Sequence, residues 1–311
     1  MSGGEAGEAS AAGGAPAAGG APVSAGARLS ALLAREEPLV APGATSALLA
    51  KLIAEAGFDA VYMTGAGVSH AFLGEPDIGL TTLTEMGQMV ESLAGATALP
   101  VIADADTGFG GVLNVQRTVR LYESRGAGAI QIEDQVHPKR CGHFDGKEVV
   151  EVHEMLARIR AALEARRDML VIARTDARTV LGLDEAIERG RVYADAGADV
   201  VFVESPLSVD ELERVGRELG PRVPLLANMV EGGKTPLLSA DELYAMGYRI
   251  VIFPGLLTRV TVHAVREALG VLRSGGDSRP LLPRTTSFDE LSLIVGLAER
   301  DALARRLELG E

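Results

Sequence analysis

The chain has 311 residues, enough for one large α/β barrel or two ordinary domains, and 47% of them are apolar, ample for a core. A net charge of −13 and a pI near 5.0 argue against an electrostatic partnership with nucleic acid or an anionic membrane. One cysteine cannot form an intrachain disulfide, and no run of about 18 apolar residues is present, so the cytoplasm is the expected compartment.

Residues 1–27 are largely Ala, Gly, Ser and Pro with two Glu. They lack the positive start and apolar stretch of a signal peptide. Such a segment cannot bury enough surface to offset its ordering entropy and is predicted to be a disordered tail. From Leu39 onward eight short β-rich apolar runs recur: LVAP at 39, AVYMTG at 60, PVIADAD at 100, AIQIED at 129, LVIARTD at 170, VVFVES at 200, PLLANM at 224 and RIVIFPG at 249. Amphipathic segments such as VQRTVRLYESRGAG and VDELERVGRELG separate them, at a spacing of about 25 to 40 residues. Eight strands buried on both faces and alternating with helices predict a (β/α)₈ TIM barrel over residues 28–275. The glycines of AEAGFDA, SRGAGA and ADAGAD end helices and turn the chain into the next strand. A helix over 257–273 completes the count. Residues 276–311 form an extension whose helix, 287–308, is expected to cap the barrel or pack on a neighbouring subunit.

The predicted strands end in polar side chains: Tyr62 and Thr64, Asp104 and Asp106, Glu133 and Asp134, Arg174 and Asp176, Glu204, then Asn228 with Glu231. In such a barrel these ends converge on the face where active sites are built. One aspartate at a strand end is more often a helix cap; five successive strands ending in charged or carboxamide side chains point to a site. Asp104, Asp106, Glu133 and Asp134 would repel one another without a cation among them. Their oxygen-only donor set suits Mg²⁺ or Mn²⁺. Strand alternation is expected to aim Asp104 and Asp106 inward together, and the glycines of TGFGG to let a substrate approach the backbone. Arg174 offers a fork for a carboxylate or phosphate. A metal and an arginine together suit a small polyanion whose reaction builds an enolate.

The single cysteine, Cys141, lies in HPKRCGHFDGK, a long polar loop leaving the fourth strand and a candidate lid. Lys139, Arg140 and His143 beside it are expected to lower the thiol pKa toward neutrality, suiting proton transfer. A zinc site from Cys141 and His143 lacks two further ligands, and a structural cysteine belongs in an apolar run.

KRCGH, with DADTGFG, QIEDQ, ARTDA and NMVEGGKTP, resembles the isocitrate lyase/phosphoenolpyruvate mutase superfamily over residues 30–275. The Lys-Arg-Cys-Gly-His loop is similar to that of its carbon–carbon lyases, which act on methylisocitrate, dimethylmalate and alkylmalates. The resemblance implies that Asp104, Asp106 and Glu133 hold Mg²⁺, partly through water, with Asp77 of GEPDIGL near the ion. It implies that Tyr62, Thr64, Gly65 and Ala66 receive the 2-oxoacid end. Gly142, Arg174, Glu204 and Asn228 then bind and orient the substrate. Cys141 is the implied proton donor, with Lys139, Arg140 and His143 beside it on closure, and a homotetramer exchanging its terminal helix is implied too. Tyr62 is the first choice of base, a water on the ion the second. Where methylisocitrate lyases read Ser-Gly-Gly-Gly and Asn-x-Thr-Glu-Phe-Gly, this chain reads Thr64-Gly65-Ala66-Gly67 and Asn228-Met229-Val230-Glu231-Gly232-Gly233. That difference favours an alkyl-substituted malate over a tricarboxylate.

The implied function is a Mg²⁺-dependent lyase of carboxylic acid metabolism that splits a 2-hydroxy dicarboxylate into pyruvate, or a related 2-oxoacid, and a second carboxylate. Oxaloacetate hydrolysis or decarboxylation is one alternative. Phosphorus–carbon chemistry like that of carboxyvinyl-carboxyphosphonate phosphorylmutase is another, since that relative shares MTGAG, KRCGH and NMVEGGKTP. A silent barrel kept as a scaffold is disfavoured by the intact metal and Cys-Gly-His motifs.

Overall fold

A computed structural model describes residues 23–310. Eight parallel strands close a barrel in sequence order: β1 (Leu39–Ala44), β2 (Val61–Met63), β3 (Val101–Asp104), β4 (Ala127–Glu133), β5 (Leu170–Thr175), β6 (Val200–Val203), β7 (Leu225–Asn228) and β8 (Tyr248–Phe253), which returns to β1. The first helix, α1 (Ala25–Leu33), precedes the barrel. Around it run α2 (Ala47–Glu55), the short α3 (Gly65–Val68), α4 (Leu83–Ala96), α5 (Val112–Ser124), α6 (Val152–Ala165), α7 (Leu183–Asp195), α8 (Val209–Leu219) and α9 (Ala240–Ala245). The chain ends in α10 (Leu256–Gly275), α11 (Phe288–Ile294) and α12 (Leu297–Leu309).

Every residue of β3, β4, β5 and β6 is buried, which is why their sequences read as continuous apolar runs. Period-2 alternation sorts those side chains into two cores. Tyr62, Ile102, Ala129, Ile172, Phe202, Leu226 and Ile250 fill the barrel, while Val61, Val101, Ile130, Val171, Val201 and Leu225 meet the helices outside. Gly57, Gly126 and Gly197 have φ of 85°, 95° and 98°, the left-handed turn expected after α2, α5 and α7.

The N-terminal boundary differs from expectation. Residues 1–22 of the predicted tail lie outside the described residues, but α1 begins at Ala25, capped by the Ser24 hydroxyl, which accepts the Ala27 N–H at 3.1 Å. Leu29 and Leu32 are buried in the barrel core, so α1 closes its N-terminal end. A Cβ on Gly128 would lie 2.9 Å from the Ala25 carbonyl oxygen, showing how closely helix and strand approach. At the opposite end of the chain α10, α11 and α12 bury no residue, and Val260, Leu269, Phe288, Leu293 and Leu307 stand exposed on them. Among the described residues no helix is long and apolar enough to cross a membrane.

Candidate active site

The C-terminal strand ends surround a cavity of about 390 Å³. Tyr62, Thr64, Ala66, Asp77, Asp104, Arg174, Glu204 and Asn228 line it, and Lys139, Arg140, Cys141, Gly142 and His143 roof it from the β4–α6 loop. Expected site residues from five separate strand ends and the loop therefore come together, while Gly65, Asp106 and Glu133 do not themselves line the cavity.

On one side lie four buried carboxylates, Asp77, Asp104, Asp106 and Glu133. Asp104 accepts the N–H of Gly65 at 3.2 Å and of Asp106 at 3.1 Å, and the Gln131 carboxamide at 3.3 Å. Gly65 is required there, because a Cβ would stand 2.7 Å from the Asp104 carboxylate. Asp106 lies beyond the end of β3, so strand alternation does not place it. A turn with φ of 48° at Asp106, 89° at Gly108 and 139° at Gly110 does. The TGFGG glycines thus shape this turn; none of them lines the cavity.

The Lys139 ammonium pairs with Asp77 and, at 2.8 Å, with Asp106. Glu133 has one oxygen 3.3 Å from Arg174 and the other buried without a hydrogen-bond partner. Burial, reinforced by Asp104 and Asp77 against the pull of Lys139, lifts Asp106 to about 6. Burial likewise drives Glu133 well above the usual carboxylate range, although Arg174 opposes it. An all-oxygen cluster with more carboxylates than cations and an orphaned oxygen fits a hard divalent ion. Among the described residues no three His, Cys, Asp or Glu side chains are grouped so as to hold a metal ion by themselves. An ion such as Mg²⁺, which usually keeps several waters, does not need such a group.

Asp134 does not join this cluster. As the residue after Glu133 it faces the helix layer, where Thr175 Oγ1 (2.7 Å), the Asp176 N–H (2.8 Å), Tyr193 OH (2.9 Å) and Arg189 (3.1 Å) all donate to it. Its role is to fix β5 against α7.

Arg174 borders the carboxylate cluster at Glu133 and lines the cavity beside Glu204. Asp176 grips its guanidinium with two bonds of 2.9 Å, Glu204 sits 3.2 Å from Nη2, and the Phe202 ring lies 5.3 Å beneath. Burial alone would raise Asp176, but Arg174 and Lys147 hold it at about 2. Asn228 donates to Glu204 at 3.2 Å. Asp176, Lys147 and Gln131 were not assigned roles from sequence. Their signal was only the presence of charge or carboxamide within ARTDA, FDGK and QIED.

Tyr62 donates its hydroxyl to Gln131 at 3.1 Å. Burial and the neighbouring Asp104 push that hydroxyl well above its ordinary value, which favours its protonated, donating form over the expected role as base.

Cys141 departs most from expectation. It is half-buried, and burial, with Asp77 and Glu204 adding to it, pushes the thiol up rather than down. The reason is where its neighbours point. Lys139 turns away into Asp77 and Asp106, Arg140 is exposed, and burial keeps His143 below its ordinary value. The thiol therefore holds its proton, which a donor requires. The roof itself is pinned closed. Gln135 exchanges two 2.9 Å bonds with the Arg140 backbone, Ser205 Oγ donates to the Gly142 carbonyl at 3.2 Å, and His143 Nδ1 accepts the Lys234 N–H at 3.1 Å. Ser205 holds φ at 58° to do so. Gly142 admits no side chain, since a Cβ would meet Arg174 at 2.5 Å and Glu204 at 2.6 Å.

Comparison with known proteins agrees with this geometry. The phosphoenolpyruvate phosphomutase family model matches residues 29–272. A 2,3-dimethylmalate lyase of Eubacterium barkeri is 47% identical over 268 residues, covering 86% of this chain and 92% of the relative. A 2-methylisocitrate lyase of Aeropyrum pernix is 41% identical over 281 residues, covering 89% and 90%. Among solved structures, an oxaloacetate acetylhydrolase in complex with 3,3-difluorooxalacetate superposes with a TM-score of 0.86 at 39% identity, covering 93% of this chain and 98% of that one. With its closed eight-stranded barrel, its strand-end carboxylates and its Cys-Gly-His roof, the chain belongs to the isocitrate lyase/phosphoenolpyruvate mutase superfamily.

Proposed function

We propose that the protein is a Mg²⁺-dependent carbon–carbon lyase that cleaves an alkyl-substituted 2-hydroxy dicarboxylate into pyruvate, or a related 2-oxoacid, and a second carboxylate. The observation that carries this reading is the placement, around one cavity, of the Cys141 thiol, a carboxylate cluster and a locked arginine. Asp77, Asp104, Asp106 and Glu133 would hold the ion, which when bound supplies Lewis-acid stabilisation of the oxygen that becomes the 2-oxo group.

The chain's own groups do the rest. Arg174, pre-set by Asp176, receives the 2-oxoacid carboxylate. Tyr62 donates toward Gln131 and so keeps Asp104 oriented. A water in the site takes the C2 hydroxyl proton and passes it to solvent as the C2–C3 bond breaks, leaving an aci-carboxylate whose carbon needs a proton. Cys141 Sγ delivers it, and the thiolate regains a proton from solvent. The closed roof keeps bulk water from that carbanion-like centre. Val230, Ile252 and Pro254 give the cavity an apolar wall that suits alkyl substituents. The test is incubation with Mg²⁺ and a panel of alkylmalates, 2-methylisocitrate and oxaloacetate. Alkylmalates should be split fastest, and failure to split any member would remove the reading.

Copies of this chain cover the apolar faces of α10, α11 and α12 in a homotetramer. The support is the run of exposed Val260, Leu269, Phe288, Leu293 and Leu307 on helices with no buried residue. Sedimentation should give four times the 32.4 kDa chain mass, and a monomer would exclude the assembly.

A further inference from the structure

The roof loop carries two buried lysines, one on each side of Cys141. Lys139 reaches the metal-side carboxylates. Lys147 has no such chemistry to serve, yet its side chain is only 1% exposed. Its ammonium donates to the Gly142 carbonyl, one residue past the thiol, and to Asp176 Oδ1 at 2.8 Å. Asp176 is the carboxylate that grips Arg174. Burying an ammonium is costly unless it is paired and fully hydrogen-bonded. Here both conditions are met only when the roof is down, because Gly142 belongs to the roof and Asp176 to the barrel.

The geometry points to Lys147 as a positioning residue that latches the roof to the arginine side of the site and so holds Cys141 over the cavity. Lys139 is the matching latch on the carboxylate side. With Lys147 lost, the Gly142 carbonyl keeps only the Ser205 hydroxyl at 3.2 Å, and the remaining ties on that flank are the His143 bond and the exposed Lys234–Asp145 pair at 2.6 Å. An exposed pair of that kind contributes little. Asp176 meanwhile keeps Arg174, so the carboxylate-binding fork survives and substrate affinity should change less than turnover.

The chain contains one cysteine, so its alkylation rate reports directly on the roof. Using the full chain with and without Mg²⁺, Lys147→Met should raise the rate of Cys141 labelling by iodoacetamide about tenfold or more, if the latch holds the closed state by about 1.4 kcal/mol. Lys234→Met should leave it within about twofold. If Lys147→Met does not give a cooperative melt, Lys147→Gln, which keeps a donor but no charge, should label several-fold faster than wild type. Labelling within about twofold of wild type in a folded Lys147 variant would overturn the latch. The turnover arm, a fall in kcat with KM nearly unchanged, rests on the lyase reading. The labelling arm does not, so failure of one is distinguishable from failure of the other.

Discussion

Cys141→Ser should lower kcat toward an alkylmalate by about 10³-fold, in the range that general acid catalysis supplies, with KM nearly unchanged. The serine hydroxyl nearly matches the thiol in shape but is a far weaker acid, so the leaving carbon waits longer for its proton. The thiol sits in the cavity roof with burial holding its proton on, and its backbone is fixed by the Cys141 N–H to Asp77 carbonyl bond at 3.1 Å. Serine preserves that backbone bond. Unfolding free energy should therefore move by no more than about 1 kcal/mol. A loss of stability with turnover intact would make the cysteine structural. A variant inert toward alkylmalates yet able to form phosphorus–carbon bonds would shift the assignment to phosphorylmutase chemistry, where no carbon needs a proton.

Removing the divalent ion with a chelator should abolish turnover while leaving the fold intact, and Asp106→Ala should behave likewise. Several kcal/mol of charge stabilisation on a developing enolate corresponds to about 10³-fold or more in rate. Stability is spared for a local reason. Asp106 shares Lys139 with Asp77, so its removal relieves repulsion among four carboxylates and still leaves the ammonium a partner. Melting should shift by no more than a few degrees. Activity near wild type after either treatment would contradict the metal assignment, and collapse of the fold would make the cluster structural.

The barrel was legible in the sequence because strands buried on both faces leave unbroken apolar runs, and because the glycines after α2, α5 and α7 mark each return. Helix α1 was not, since its Ala- and Gly-rich composition hides a cap at Ser24 and an anchor of just two buried leucines. Most site residues were found because they stand at strand ends. Asp134 was misplaced by its adjacency to Glu133, although alternation along β4 already assigned the two to opposite faces. Cys141 shows where sequence proximity fails outright. Lys139 and Arg140 are its neighbours in the chain, but an irregular loop sends one into the carboxylates and the other outward. The charges that act on the thiol come instead from Asp77, Glu204 and Arg174, residues remote in sequence. Asp176 was visible at its strand end, but its pairing with Lys147 was not, since the two are remote in sequence.

The most direct test of the central claim, that Cys141 protonates the carbon released by cleavage, is turnover of an alkylmalate in D₂O followed by NMR of both products. The thiol exchanges with solvent, so one deuterium should appear, with a single stereochemistry, on the carbon that had been joined to C2, and the 2-oxoacid should form in equal amount. Equal amounts of products with racemic label would mean that water, not Sγ, supplies the proton, and would contradict the account.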